Sequence, residues 1–259
     1  MKLGKSSYAM MRLLKGERNY KPPFWEPWFA MESFFRRRYG DPKRVENRIK
    51  MAQDLNMAAV NLGGIDINAN FTVKKKASNG SNRYSGGLLR NIKQLKELEM
   101  PDWSEIVEKW KVEQQIIKDA GLLSWITLPW CFHVIATSMG HSNFAVKLYR
   151  DFDFVDAAFE WVEERNRKAI DKVIREVRPD FVLFDGDCAY KKGLMVNPRI
   201  FRKLVFNRTK ETVSRLKSLD IPPLLDKSKK SIGQLAMGAG AIVAKRSQCI
   251  ATLWVYNIV

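Results

Sequence analysis

"DFVLFDGDCAYKKGLMVNP", residues 180–198, is the stretch on which the reading of the chain turns. Phe181 to Phe184 is an apolar run too short for a helix and without polar alternation, which is the pattern of a strand covered on both faces. Two carboxylates and a thiol follow within four positions, Asp185, Asp187 and Cys188, with Gly186 between the acids. Asn197-Pro198 then has the form of a helix start. An Asn side chain caps the first turn, and Pro in the first helical position gives up an N–H that has no partner there. The polar loop between strand and helix is therefore either a plain turn or one wall of a site.

The same alternation runs outward in both directions. Upstream, Val155, Ala158, Phe159, Val162, Ala169, Ile170, Val173, Ile174 and Val177 mark one face of a helix over 153–177, which Pro179 breaks. Downstream, Ile200, Phe201, Leu204, Val205, Val213 and Leu216 form the stripe of a helix over 198–217, and 221–225 is a strand. Earlier strands are expected at 22–29, at 57–62 before Gly63-Gly64, and at 122–128 before Pro129. Helices are expected at 41–55, with Asp41 as cap and Pro42 in the first turn, and at 102–120, ended by Gly121. Residues 68–90 are polar and rich in Gly, Ser and Asn, and read as a long loop or an excursion from the alternating pattern. Strands alternating with helices predict an α/β fold with a parallel sheet and helices outside it. Periodicity suits an open doubly wound sheet as well as a barrel.

Composition narrows the classes. At 259 residues with 46% hydrophobic side chains the chain supplies a real core. It holds no apolar run of the ~18 residues a membrane span needs, and its first residues lack the apolar core of a secretory signal. Its three cysteines, Cys131, Cys188 and Cys249, are odd in number and far apart, unlike a disulfide framework. A cytoplasmic protein without a membrane partner is the expectation. The net charge of +17 is scattered over Arg36–Arg38, Lys74–Lys76, Lys191-Lys192 and Lys229-Lys230, without basic residues interleaved with aromatics on one element. It reads as solvated surface rather than as a specific nucleic-acid site.

"MGHSNFAVKLYRDFDFVDAAFEWV" (139–162) followed by "RPDFVLFDGDCAYKKGLMVNPRIFRKLV" (178–205) resembles the uroporphyrinogen decarboxylase family, which includes corrinoid-linked methyltransferases such as those acting on coenzyme M. The family's Gly-x-x-Asn-Phe segment falls on Gly140 to Phe144 and its Leu-Tyr-x-Asp helix start on Leu148 to Asp151. Its acidic strand end falls on Asp185 to Asp187, and its Gly-Leu-x-x-Ser-Pro-x-x-Phe segment on Gly193 to Phe201. The resemblance runs from about 120 to 225, is weak before that and absent after 226. It implies a TIM-type (β/α)8 barrel with its site at the C-terminal strand ends. It implies a carboxy-lyase acting on a tetrapyrrole in porphyrin biosynthesis, or else a methyl-transferring enzyme with a corrinoid-linked partner, and leaves room for a homodimer. Asp185, Asp187 and Asp66 are then the candidate catalytic acids, and His133, Trp130 and Tyr190 the candidate substrate contacts. In a decarboxylase a carboxylate holds the protonated pyrrole nitrogen as CO2 leaves. Cys188 reads as a small buried residue.

The chain also departs from the family. Decarboxylases carry paired arginines after the first strand, whereas "PPFWEPWFAMESFF" (22–35) has Glu26 and aromatics, Phe24, Trp25, Trp28 and Phe29, that read as core. Where decarboxylases place a Tyr before the Gly140 segment, Ala136 and Thr137 stand here. The methyltransferases bind zinc through a His-x-Cys pair and a late Cys. This chain reads Asp226-Lys-Ser-Lys at that place and Cys249 stands alone, so no metal or resident cofactor is expected. Residues 226–259 lose the helix–strand alternation. The expectation is a barrel domain over 1–225, incomplete at its C-terminal side, followed by an unrelated tail whose "CIATLWVYNIV" is exposed or pairs with an edge strand. A purely binding member of the family without chemistry is the competing class.

Overall fold

The computed structural model describes residues 3–17, 23–25, 32–77, 82–190, 193–227, 242–247 and 250–254. Ten strands are present among them: β1 (Ala59–Gly64), β2 (Thr72–Lys76), β3 (Asn82–Gly87), β4 (Leu123–Pro129), β5 (Phe181–Asp185), β6 (Ala189–Tyr190), β7 (Gly193–Leu194), β8 (Pro223–Lys227), β9 (Ile242–Ser247) and β10 (Ile250–Trp254). Six form one sheet in the order β1-β4-β5-β8-β9-β10. The first five of these pair in parallel, and β10 turns back antiparallel onto β9. A single parallel bridge, Phe24 to Met57, lies beside β1. Sheet order equals chain order: each new strand is added on the same side as the last. A doubly wound sheet must instead reverse its order at a switch point. The sheet thus winds in one direction, and among the described residues no strand joins β10 to the Phe24 side.

The two faces of the sheet carry separate cores, as side-chain alternation requires. Val182 and Phe184 of β5, with Ile126 and Leu128 of β4, pack outward under the helices. Phe181 and Leu183, with Leu123 and Trp125, face the other way, where Met10, Leu13 and Leu14 of the helix Lys5–Leu14 cover them. Trp25 is 1% exposed in this inner cluster, edge-on to Trp125 (5.3 Å) and Phe181 (5.4 Å), so the aromatic reading as core holds for it. Trp28, Phe29 and Glu26 lie outside the described residues. Fully burying one such side chain contributes about 1.5–3 kcal/mol. Helix Lys5–Leu14 also bonds the N-terminal ends of the strands, through Ser7 Oγ to the Ala58 carbonyl (2.9 Å). The helix covers that end of the sheet, which leaves the C-terminal ends of the strands for a site.

The helix over 152–177 is continuous, with one π turn at Ile170–Ile174, and its predicted apolar face is buried. It stops at Arg178, in the left-handed conformation (φ +56°) ahead of Pro179. The helix over 198–217 starts at Pro198 with Asn197 accepting from the Arg199 N–H at 2.8 Å, as predicted, and contains a π turn at Arg202–Phe206. Two expectations need correction. Asp41 does not cap the third helix, which is Val45–Asp54; its carboxylate accepts from the Lys43 N–H (3.1 Å) and closes a turn one step earlier. Pro42 lies in that turn, ahead of the helix. Residues 68–90 are not one loop, because they contain the antiparallel hairpin β2–β3. Its side chains are almost all exposed, so no apolar alternation marks it. Among the described residues no helix is long and apolar enough to cross a membrane.

Candidate functional site

A cavity of about 490 Å³ opens at the C-terminal ends of β1 and β4. Its walls include Asp66 just past β1, Lys74 and Tyr84 of the hairpin, and His133, Thr137 and His141. The helix Cys131–Met139 follows β4 directly, so residues 133, 134, 137 and 138 form one face of it toward the cavity. The next helix, His141–Arg150, begins at its rim after Gly140 (φ +83°). The side chain of Asn166, on the helix over 152–177, donates to the Pro129 carbonyl (3.0 Å) and so ties the end of β4 to the outer layer.

Of the residues expected at a site, Asp66 and His133 come together on this cavity. Asp66 is held from both ends. Its Oδ1 accepts from the Asn68 N–H (2.7 Å) and its carbonyl accepts from the buried indole of Trp103 (2.9 Å). His133 is half-buried, and its Nδ1 accepts from the Asp187 N–H at 3.1 Å. A ring nitrogen that accepts carries no proton, so the proton of the neutral imidazole sits on Nε2. Asp185 and Asp187 stand one layer away. Asp185 is the last residue of β5, in register with Pro129, and its carbonyl accepts from the Trp130 N–H (3.0 Å). Asp187 is exposed. Neither is among the wall residues of the 490 Å³ cavity; they buttress it through His133.

Gly186 explains why this loop can lie so close. It has φ +153°, and a Cβ there would overlap the Cβ of His133. Gly87 does the same for the hairpin: a Cβ would overlap the Thr137 and Ser138 carbonyl oxygens, so only Gly lets the end of β3 seat on the helix Cys131–Met139. Tyr84 completes the seat, its hydroxyl donating to the Thr137 carbonyl (3.1 Å) and its ring edge-on to His141 (5.4 Å). Burial raises the pKa of the Tyr84 phenol, against the opposing pull of the His141 backbone N–H.

Trp130 is a correction. It is 2% exposed, donates to Thr209 Oγ1 (3.1 Å) and stands edge-on to Phe201, so it is core rather than a substrate contact. Tyr190 lies in the short strand β6, paired with Gly193, and its side chain is outside what the structure describes, as is Cys249. Ala136, one counterpart of the decarboxylase Tyr, is 1% exposed, while Thr137 reaches the cavity and bonds the His133 carbonyl (2.7 Å). Cys188 is 1% exposed and its thiol is pushed up to about 12 by burial and by Asp187. Burial likewise holds the Cys131 thiol well above the usual range, with Glu163 adding to it. Neither is a thiolate at neutral pH. Among the described residues no cluster of three His, Cys, Asp or Glu could hold a metal ion. Lys74, Tyr84, Ser138 and His141 were not among the residues expected from sequence. The helical spacing from His133 to Thr137 was the legible signal for part of this wall.

No family model and no curated protein matches the chain. Among solved structures it is similar in fold to a methyltransferase from Methanosarcina mazei, with a TM-score of 0.66 at 13% identity, over 91% of this chain and 74% of that one. That likeness shows an α/β fold with a parallel sheet shared with a methyltransferase.

Proposed function

We propose that the chain is a methyl-transferring enzyme whose small methylated substrate binds in the cavity at the ends of β1 and β4. The observation that supports this reading is the placement of His133, with its proton on Nε2, beside Asp66 in an open strand-end cavity of a fold shared with a methyltransferase. When a methyl group leaves a heteroatom for an external nucleophile, the bonding pair stays on the heteroatom. His133 Nε2–H is the donor for that developing charge, in the manner of a neutral imidazole that polarises without being an acid. Asp66, fixed by the Asn68 amide, orients the polar end of the methyl donor.

A corrinoid is the proposed methyl acceptor. The volume of about 490 Å³ lies in the lower half of the ~300–1,000 Å³ span of small-molecule clefts. It does not enclose a corrin macrocycle, so no residue is assigned to hold one and no step is derived through it; the acceptor meets the substrate at the open mouth. A tetrapyrrole decarboxylase, the first expectation from sequence, has less support for the same reason of size. The test is anaerobic incubation with reduced cobalamin and a panel of methylated amines, alcohols and thioethers, followed by the cobalamin absorption spectrum. Methylcobalamin should form with at least one donor and should slow by about 10²-fold in His133→Gln. No methylation with any donor, or turnover of uroporphyrinogen instead, overturns the reading.

A further inference from the structure

We propose that Glu163 and Asn166 are positioning residues of the candidate site: Glu163 is a neutral acid at neutral pH, its Oε1–H bonds Asn166 Oδ1, and Asn166 in turn holds the Pro129 carbonyl at the cavity wall. Both side chains are fully buried, three residues apart on one face of the helix over 152–177. Each has one satisfied atom and one orphan. Glu163 Oε2 accepts from Thr212 Oγ1 (2.5 Å), and Asn166 Nδ2 donates to the Pro129 carbonyl (3.0 Å). Glu163 Oε1 and Asn166 Oδ1 have no hydrogen-bond partner among the described residues. Turning the amide over does not mend this, because the Pro129 carbonyl needs the NH2 group facing it. Two neighbouring acceptors without a donor are both satisfied by one proton, and a carboxylic acid carries it.

The surrounding charges lead to the same state. Among the described residues no cation forms an ion pair with Glu163, for the nearby guanidiniums are engaged elsewhere. Arg167 pairs with Glu160 and Glu211, and Arg208 with Asp156 and Glu160. The Cys131 thiol, which also faces the carboxyl, is buried and neutral. A fully buried carboxylate without a paired cation costs too much to stay charged, and burial raises the Glu163 pKa accordingly. The consequence reaches the site through three consecutive residues. Pro129 ends β4 and is a wall residue of the cavity, and Cys131 opens the helix that carries His133. The outer helices grip each residue of this turn: Asn166 holds 129, Thr209 holds 130, and Glu163 faces 131. Loss of the proton would set two acceptors against each other. The amide would then turn its NH2 group to the carboxylate and release Pro129.

The inference rests on the preceding section only for taking this cavity as the site, and its test needs no turnover. Infrared spectra of the full chain are recorded in D2O at neutral pH for the native protein, Glu163→Gln and the isosteric Asn166→Leu. The difference between native and Glu163→Gln should show the carbonyl band of a protonated carboxylic acid. Asn166→Leu should move that band to higher frequency, because the acid O–H loses its acceptor. Nitrogen NMR of the imidazoles reads the link to the site, since His133 and His141 are the two histidines of the chain and His141→Gln assigns them. The His133 signal should shift in Asn166→Leu and keep its native position in Glu163→Gln, whose amide N–H replaces the acid O–H toward Asn166. His141 should stay in place in both variants, whereas a general loosening of the fold moves both histidines. A carboxylate band alone, an acid band unmoved in Asn166→Leu, or a His133 signal shifted equally in the two variants overturns the proposal. Should Asn166→Leu fail to fold, the difference between native and Glu163→Gln still decides: no acid band there overturns it. An acid band coupled to His133 in a chain that transfers no methyl group would overturn the methyl-transfer reading alone.

Discussion

Gly186→Ala tests the seat of the Asp185–Asp187 loop on His133, and Gly86→Ala supplies its control. The two glycines have the same φ of +153°, but a Cβ at Gly86 meets nothing within 4 Å whereas one at Gly186 overlaps His133 Cβ. Both substitutions impose a backbone conformation foreign to L side chains, at about 1–3 kcal/mol. Only Gly186→Ala adds overpacking against an atom anchored to a helix backbone, a further ~1–3 kcal/mol. The expected cost is therefore about 2–6 kcal/mol at 186, against a total stability of ~5–15 kcal/mol for a domain. Urea unfolding followed by tryptophan fluorescence reads both variants as shifts of midpoint at constant m-value. The loop should also lift from His133, so the Asp187 amide should lose protection from hydrogen exchange. Equal costs for the two variants, within about 0.5 kcal/mol, would show that the overlap does not exist and that the loop is not seated as described.

Glu163 is fully buried, and burial raises its carboxyl pKa against the opposing bonds from Thr212 Oγ1 (2.5 Å) and Cys131. The folded state thus holds this proton more tightly than the unfolded one, so its share of stability falls as pH rises from the ordinary carboxylate pKa of ~4.3 toward the raised value. Glu163→Gln should match the native chain near pH 4 and exceed it at pH 8; a difference independent of pH in urea unfolding would refute this. Asn197→Ala should cost about 1 kcal/mol in the same assay by removing the cap on the Arg199 N–H, and an unchanged midpoint would deny the cap. Peptide-resolved alkylation at pH 8 should leave Cys131 and Cys188 unmodified in the native state and label both in denaturant, since burial raises both thiols; prompt native labelling of either contradicts their burial.

Local physics accounts for what the sequence determined by itself. The helix over 152–177 has an apolar stripe at helical spacing and a Pro beyond its end, and β5 is a short apolar run between turns. Asn197-Pro198 carries its own start signal in two adjacent residues. These elements are decided by contacts within a few residues, so their chemistry is written where they form. The hairpin β2–β3 is the opposite case. Its strands bury almost nothing, and what holds it is Gly87 and Tyr84 against helix Cys131–Met139, some fifty residues away. Tertiary structure also decided between Trp130 and His133. The two are three apart and could share a helix face, but the helix begins at Cys131, which leaves Trp130 before it and turned into the core toward Thr209. The direction of winding was likewise beyond periodicity. Helix and strand patterns are the same whether each new strand joins the same side of the sheet or the other. Only the pairing of β1, β4, β5 and β8 in chain order put Asp66, the hairpin and His133 around one cavity.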